Sequence, residues 1–191
     1  MDKIFISASD LLRDSFELGL RVFESDFEPT FIIGVWRGGA PVGIAVQELL
    51  ERLGCEADHY AIRTSSYGTA TESSGTVKIF GLRHVVDVIN ASDNLLIIDD
   101  VFDSGRSVAA IIEELKRLCR LNTPKDIRVA TVYYKPAKNT TDRTPDFFIH
   151  ETEKWLIFPH ELHGCSGGEL KDNKNLPARF FTALDARKET L

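Results

Sequence analysis

Long apolar runs are missing from this chain of 191 residues. No stretch approaches the roughly 20 consecutive apolar residues that a membrane-spanning helix needs, so no segment is expected to cross a bilayer. Cysteine is scarce. Cys55, Cys119 and Cys165 lie far apart and no C-x-x-C pair occurs, which argues against a zinc site and fits reduced thiols in a cytoplasmic protein. The start, MDKIFISASD, has no extended apolar segment, so no signal peptide is expected. An excess of basic charge is also lacking. Lys and Arg number 23 against 29 Asp and Glu, a net charge of −6. That sign opposes the field needed to attract nucleic acid or a membrane surface, and neither is expected as a partner. A local pocket for a small anion is still permitted. There are no internal repeats and no low-complexity tracts. What remains is ordinary globular material, 43% hydrophobic and 27% charged. Its length suits one domain with an appendage, folding without a metal or disulfide staple.

Strand and helix patterns alternate along the chain. Residues 7–24 carry Leu11, Leu12, Phe16, Leu20 and Phe23 at helical spacing, with Ser7 or Ser9 as caps. The apolar run TFIIGVW (30–36) suits a strand buried on both faces, as in a parallel sheet. Arg37-Gly38-Gly39 breaks it, and helical periodicity resumes from Pro41 to Leu53, stopping at Gly54. A strand is plausible over 57–63. Residues 64–76, TSSYGTATESSGT, are almost free of large apolar groups and read as a functional or mobile loop. Residues 77–88 fit either a strand or a turn. NLLIIDDV (94–101) is the strongest strand signal, followed by a turn at 102–107 and an amphipathic helix over 107–121. Further strands are expected at 127–134, 147–151 and 155–158, a linker or loop at 163–175, and a short terminal helix within 176–191. This alternation predicts an α/β fold with a mostly parallel sheet. Ligands in such folds sit beyond the carboxyl ends of the strands, which selects the loops at 36–39 and 102–107.

The segment IIDDVFDSGRS (97–107) concentrates the chemistry. Asp99 and Asp100 end an apolar strand, and Asp103 follows. Gly105 lets a ligand approach the backbone. The hydroxyls of Ser104 and Ser107, with free N–H groups at a helix start, form a phosphate cradle. Acids so near an anion site imply a further ligand, such as sugar hydroxyls or magnesium. The bland alternative is that these acids are caps and solvated turn residues.

Residues 95–107 resemble the phosphoribosyl pyrophosphate motif of the type I phosphoribosyltransferases. Four other stretches are similar to that family. Trp36-Arg37-Gly38-Gly39 looks like its pyrophosphate loop, Ser65-Ser66-Tyr67 like its flexible catalytic loop, and Tyr134-Lys135-Pro136 with Glu153-Lys154-Trp155-Leu156-Ile157-Phe158-Pro159 like its purine pocket. Three positions depart from the pattern: Arg106 and Ser107 stand where the family often has a small residue and Thr, and Trp36 is bulkier than usual.

The resemblance covers about residues 30–162. It implies the parallel-sheet fold of that family, with a small hood from the N- and C-terminal parts. Residues 1–162 are expected to form the phosphoribosyltransferase domain and 163–191 a linker and tail packing on or extending it. By the same resemblance Asp99 and Asp100 reach the ribose hydroxyls and a Mg2+ ion. Phosphoribosyl pyrophosphate is bound by Asp99, Asp100, Asp103, Ser104, Gly105, Arg106, Ser107, Arg37 and Gly38, with a cis peptide before Arg37. Asp103 and Arg37 are the catalytic pair, and Ser66 and Tyr67 belong to the closing loop. Lys135, Trp155 and Leu156 bind a 6-oxopurine, while Glu161 lies where some members carry an acid near metal or base. The implied activity joins guanine, hypoxanthine or xanthine to phosphoribosyl pyrophosphate, with a homo-oligomer (dimer or tetramer) as the working form. A transferase for another base, and a non-catalytic sensor of the same fold, are the alternatives.

Overall fold

The computed structural model describes residues 3–66 and 77–188. It contains eight strands and six α-helices among them. The chain divides into two compact units, Ser9–Glu153 and a smaller one made from Met1–Ala8 with Lys154–Leu191. This division falls at residue 153 rather than 162, and it joins the two ends of the chain in one unit.

The larger unit begins with α1 (Ala8–Phe23), which differs from expectation in its buried face. Leu11, Ser15, Leu18, Gly19 and Val22 face inward, whereas Leu12, Phe16, Leu20 and Phe23 are exposed. Small residues explain the choice. A Cβ on Gly19 would lie 3.1 Å from Leu49, so this face allows an approach that a bulkier stripe would block. Next come β2 (Phe31–Trp36), α2 (Gly39–Arg52), β3 (Asp58–Ser66), β4 (Val77–Phe80) and α3 (Leu82–Val88). The segment at 77–88 is therefore a strand and a helix, separated by Gly81 at φ 87°. β5 (Asn94–Phe102), α4 (Arg106–Cys119), β6 (Asp126–Tyr134) and β7 (Phe147–Glu151) complete the unit.

Six strands form one sheet in the order β4-β3-β2-β5-β6-β7. All neighbours are parallel except β3 and β4. The central strands are buried along most of their length, with Leu95, Leu96, Ile97 and Ile98 all inaccessible. That is why their sequence runs apolar without alternation. Register places Gly34 beside Ile98. The turn after β2 and the last residues of β5 are therefore neighbours.

In the smaller unit, β1 (Lys3–Phe5) and β8 (Trp155–Ile157) form a separate parallel pair. Two helices follow, α5 (Gly167–Asn173) and α6 (Ala178–Lys188). The expected loop at 163–175 thus contains a helix. Ser166 accepts from Glu169 N–H while Glu169 accepts from Ser166 N–H, a reciprocal cap that starts α5. No helix among the described residues is long and apolar enough to cross a membrane.

Candidate functional site

The turn at 37–39 and the end of β5 are shaped around each other. The peptide joining Trp36 to Arg37 is cis, as the resemblance implied. A Cβ on Gly38 would overlap the Asp100 carboxylate, and one on Gly39 would lie 2.5 Å from Ile98 O and 2.8 Å from Asp99 Cα. Only glycine fits either position. Arg37 is exposed on the same turn.

Asp99 and Asp100 occupy consecutive positions in β5. Asp100 N–H donates to Asp99 Oδ1 at 2.9 Å, and Val101 N–H donates to Asp100 Oδ1 at 2.8 Å. Asp100 is buried, while Asp99 keeps some accessible surface within dense surroundings. Burial, and then the like charge of Asp100, push the Asp99 carboxyl well above the usual carboxylate range; hydrogen bonds from the Asp100 and Gly39 backbone partly offset them. Two crowded carboxylates of this kind are relieved by a hard cation. Among the described residues no group of three or more His, Cys, Asp or Glu forms a metal cage. The two carboxylates are hard oxygen donors of the kind magnesium takes, an ion that uses one or two protein oxygens and fills its octahedron with water and phosphate oxygens.

Beyond β5 the chain makes a tight loop into α4. Gly105 has φ 75°, and a Cβ there would lie 2.6 Å from Thr141 Oγ1 and 2.8 Å from the Phe102 ring. The helix start has no side-chain cap. The first N–H groups of a helix point toward its N-terminal end, a direction from which an anion can be received. Asp99, Asp103, Ser104, Gly105 and Ser107 help line a small concavity of about 80 Å³ in front of them. Arg106 is exposed at the first helical position.

Lys135, just past β6, is 4% exposed. Its N–H donates to Phe102 O at 2.9 Å, tying the ends of β5 and β6 together. Its ammonium lies 3.5 Å from Asp103 Oδ2. Two residues proposed from sequence for separate roles are therefore in contact.

Several supporting residues were not foreseen. Lys138 lies 3.7 Å from the same Asp103 oxygen. It belongs to a turn whose Ala137 N–H donates to Glu153 Oε1 at 2.8 Å. Thr140 donates twice to Ser104 O, from its N–H at 3.1 Å and its hydroxyl at 3.0 Å. The only available sequence signal was a second lysine three residues after the first, with a run of hydroxyl residues behind it.

Ser66 closes β3 and pairs with Val77 across the antiparallel β3–β4 ladder. Tyr67 lies outside the described residues. In the smaller unit, Trp155 and Leu156 are consecutive in β8, with Trp155 48% exposed and Leu156 buried. Glu161 Oε2 accepts from Phe158 N–H at 3.0 Å.

Comparison with known proteins places these features in a wider setting. Residues 9–163 match a family model described as a phosphoribosyl transferase domain. The hypoxanthine-guanine phosphoribosyltransferase of Bacillus subtilis is 30% identical over 164 residues, 85% of each chain. Among solved structures, the purine phosphoribosyltransferase of Pyrococcus horikoshii is similar with a TM-score of 0.68 and 27% identity, covering 87% of this chain and 98% of that one. The xanthine-guanine-hypoxanthine phosphoribosyltransferase of Helicobacter pylori shares the fold with a TM-score of 0.64 at 22% identity, covering 82% and 92%.

Proposed function

The chain belongs to the phosphoribosyl transferase family, and from that premise we propose that it transfers the phosphoribosyl group of 5-phosphoribosyl 1-pyrophosphate to a 6-oxopurine. The products are a nucleoside 5′-monophosphate and pyrophosphate. The observation that carries this reading is the 3.5 Å contact between Asp103 and Lys135. A base and a hydrogen-bond donor so close together match two neighbouring features of a 6-oxopurine, N7 and the oxygen on C6.

The reaction breaks the bond from C1 of the ribose to the pyrophosphate oxygen and forms a bond from C1 to a purine nitrogen. Positive charge grows on the ribose and negative charge on the leaving group. Arg37 and the N–H groups of the 38–39 turn would stabilise the departing pyrophosphate. The loop at 103–107 and the start of α4 would hold the 5′-phosphate, and Asp99 and Asp100 would face the ribose hydroxyls. Asp99 and Asp100 would also be the residues to hold Mg2+, whose chemistry when bound is to offset phosphate charge. Asp103 would accept the proton from N7 as the ring attacks. Lys135 would donate to the C6 oxygen. Adenine would set an amino donor against it and leave both donors unpaired. Trp155 would stack on the purine, and the Leu156 backbone would meet its edge. Ser66, which ends β3 rather than lying in a loop, and Tyr67 would stand where the family's closing segment excludes water from the reacting centre.

A cytoplasmic location and a homo-oligomeric form, dimer or tetramer, belong to the same proposal. Exposed Trp36, Ile44 and Tyr60 border a groove of about 400 Å³ that supports self-association. The deciding experiment offers guanine, hypoxanthine, xanthine and adenine in parallel, each with phosphoribosyl pyrophosphate and magnesium. Turnover with at least one 6-oxopurine and little with adenine is expected. No turnover with any of the four overturns the reading, and turnover with adenine alone transfers it to another class of base.

A further inference from the structure

The residues after 162 take no part in the chemistry proposed above, yet they hold the strand assigned to the base. All of the following contacts lie within the smaller unit. β8 has three residues and one partner strand, β1. Ile6 N–H extends the pairing by donating to Ile157 O at 3.0 Å. An isolated two-stranded pair is marginal in water, so the position of β8 needs support from elsewhere.

That support meets at Phe158, which is 3% exposed. Its N–H donates to Glu161 Oε2 at 3.0 Å, and its carbonyl accepts Glu161 N–H at 2.9 Å. The same carbonyl accepts the ammonium of Lys174. Lys174 caps α5, with its own N–H donating to Leu170 O at 3.0 Å. α5 is anchored by buried Leu170 and by an ion pair of 2.8 Å from Lys3 to Glu169. Lys3 lies opposite Trp155 in the β1–β8 register. The contacts therefore form a closed ring: β8, Phe158, Lys174, α5, Glu169, Lys3, β1 and back to β8. Burial pushes the Lys174 ammonium down from the usual lysine range, against the opposing pull of Cys165 and Glu161. A partly desolvated cation aimed at a carbonyl is a stronger and more directional restraint than a solvated surface lysine.

We propose that Lys174 is a positioning residue for base recognition. Its ammonium holds the Phe158 carbonyl, and through it sets Trp155 and the Leu156 backbone for the purine. The inference rests on the reading of Trp155 and Leu156 as the base-binding edge.

The test uses Lys174→Met, which keeps length and loses the donor, and Lys174→Arg, which keeps a charged donor. Loss of one charge-assisted hydrogen bond should raise KM for the 6-oxopurine about tenfold in Lys174→Met. KM for phosphoribosyl pyrophosphate should stay unchanged, and Lys174→Arg should restore most of the loss. A second readout does not depend on turnover. Trp36 and Trp155 are the only tryptophans, so a Trp36→Phe background reports Trp155 alone. Acrylamide should quench Trp155 more strongly in Lys174→Met and not in Lys174→Arg. Unchanged base KM with unchanged quenching overturns the inference. Equal rises in both KM values with a lowered melting temperature also overturn it, making Lys174 a general stabiliser. If the unmodified protein turns over no 6-oxopurine, the functional reading fails and quenching alone decides the positioning role. If Lys174→Met does not fold, Lys174→Ala, which also lacks a donor, is read in the same way.

Discussion

Around the proposed phosphate and ribose subsites, the backbone leaves no room for alternatives. Extra carbon on Gly38 overlaps a carboxylate, on Gly39 it meets the β5 backbone, and on Gly105 it meets Thr141 and Phe102. The first two act between the turn after β2 and the neighbouring strand β5, in the middle of the sheet, and the third acts in the loop that follows β5. The edge assigned to the base is built differently. β8 has three residues and one neighbour, and its surroundings are fixed by a few polar contacts reaching from residues 161 to 174. The first region is held by steric exclusion and burial, which change abruptly when a group is added. The second is held by individual hydrogen bonds of about 1–3 kcal/mol each, which can be removed one at a time. A site made this way can keep its sugar-phosphate chemistry while the base preference is altered by small steps.

The largest effect is expected where the two regions meet in function. Asp103→Asn removes the proposed proton acceptor but keeps the size of the side chain. Loss of general-base help should lower kcat by ~10²–10⁴, while the Kd for phosphoribosyl pyrophosphate, read by calorimetry, stays the same. Equal losses in both would make Asp103 part of the phosphate cradle instead. Next comes Gly38→Ala. Displacing Asp100 and the turn by a fraction of an ångström or more should cost ~10² in kcat/KM for phosphoribosyl pyrophosphate. The base KM should change little. If the base KM rises as much, the two regions are not separately built.

Lys135→Met tests the other side. It removes a buried cation whose proposed partner is the oxygen on C6, so KM for guanine or hypoxanthine should rise ~10–100-fold, the worth of one charge-assisted hydrogen bond. Discrimination against adenine should shrink in parallel. A loss confined to kcat would show that Lys135 acts through Asp103 and not on the base.

The same contrast explains what could be read from the chain. β2, α2, β5, α4 and β6, the loop at 36–39 and the acids at the end of β5 follow from apolar runs interrupted by Gly and Asp, whereas β1 and α3, of three and seven residues, are too short to give such a signal. Such signals are local and survive without knowledge of the fold. The buried face of α1 was not legible in this way. Its hydrophobic residues ring the helix, and the choice fell on the side where Ser15 and Gly19 permit close packing. α5 could have been read, because Ser166 and Glu169 stand at capping-box spacing. Lys138, Thr140 and Lys174 could not. Their partners Asp103, Ser104 and Phe158 lie 35, 36 and 16 residues away, and only the folded chain brings them together.

The smallest effect concerns stability. Asp99 is crowded by burial and by Asp100, which raises its carboxyl well above the usual range. The unfolded carboxyl titrates near pH ~4. Between that value and the raised native one, the folded chain retains a proton that the unfolded chain has released. Its contribution to stability is therefore complete below about pH 4 and is lost as the pH rises through the native value. Asp99→Asn carries the neutral form at every pH. In magnesium-free buffer this variant should match the unmodified protein near pH 4 and exceed it at pH 8. The margin should be a few degrees in Tm, at about 2–4 °C per kcal/mol for a chain of this size. Lys174→Met, acting in the other region, should leave the slope of Tm against pH between 4 and 8 unaltered. Parallel melting curves for Asp99→Asn and the unmodified protein would show that the carboxylates proposed to face the ribose carry no such cost. The division of labour between the two regions would then rest on sterics alone.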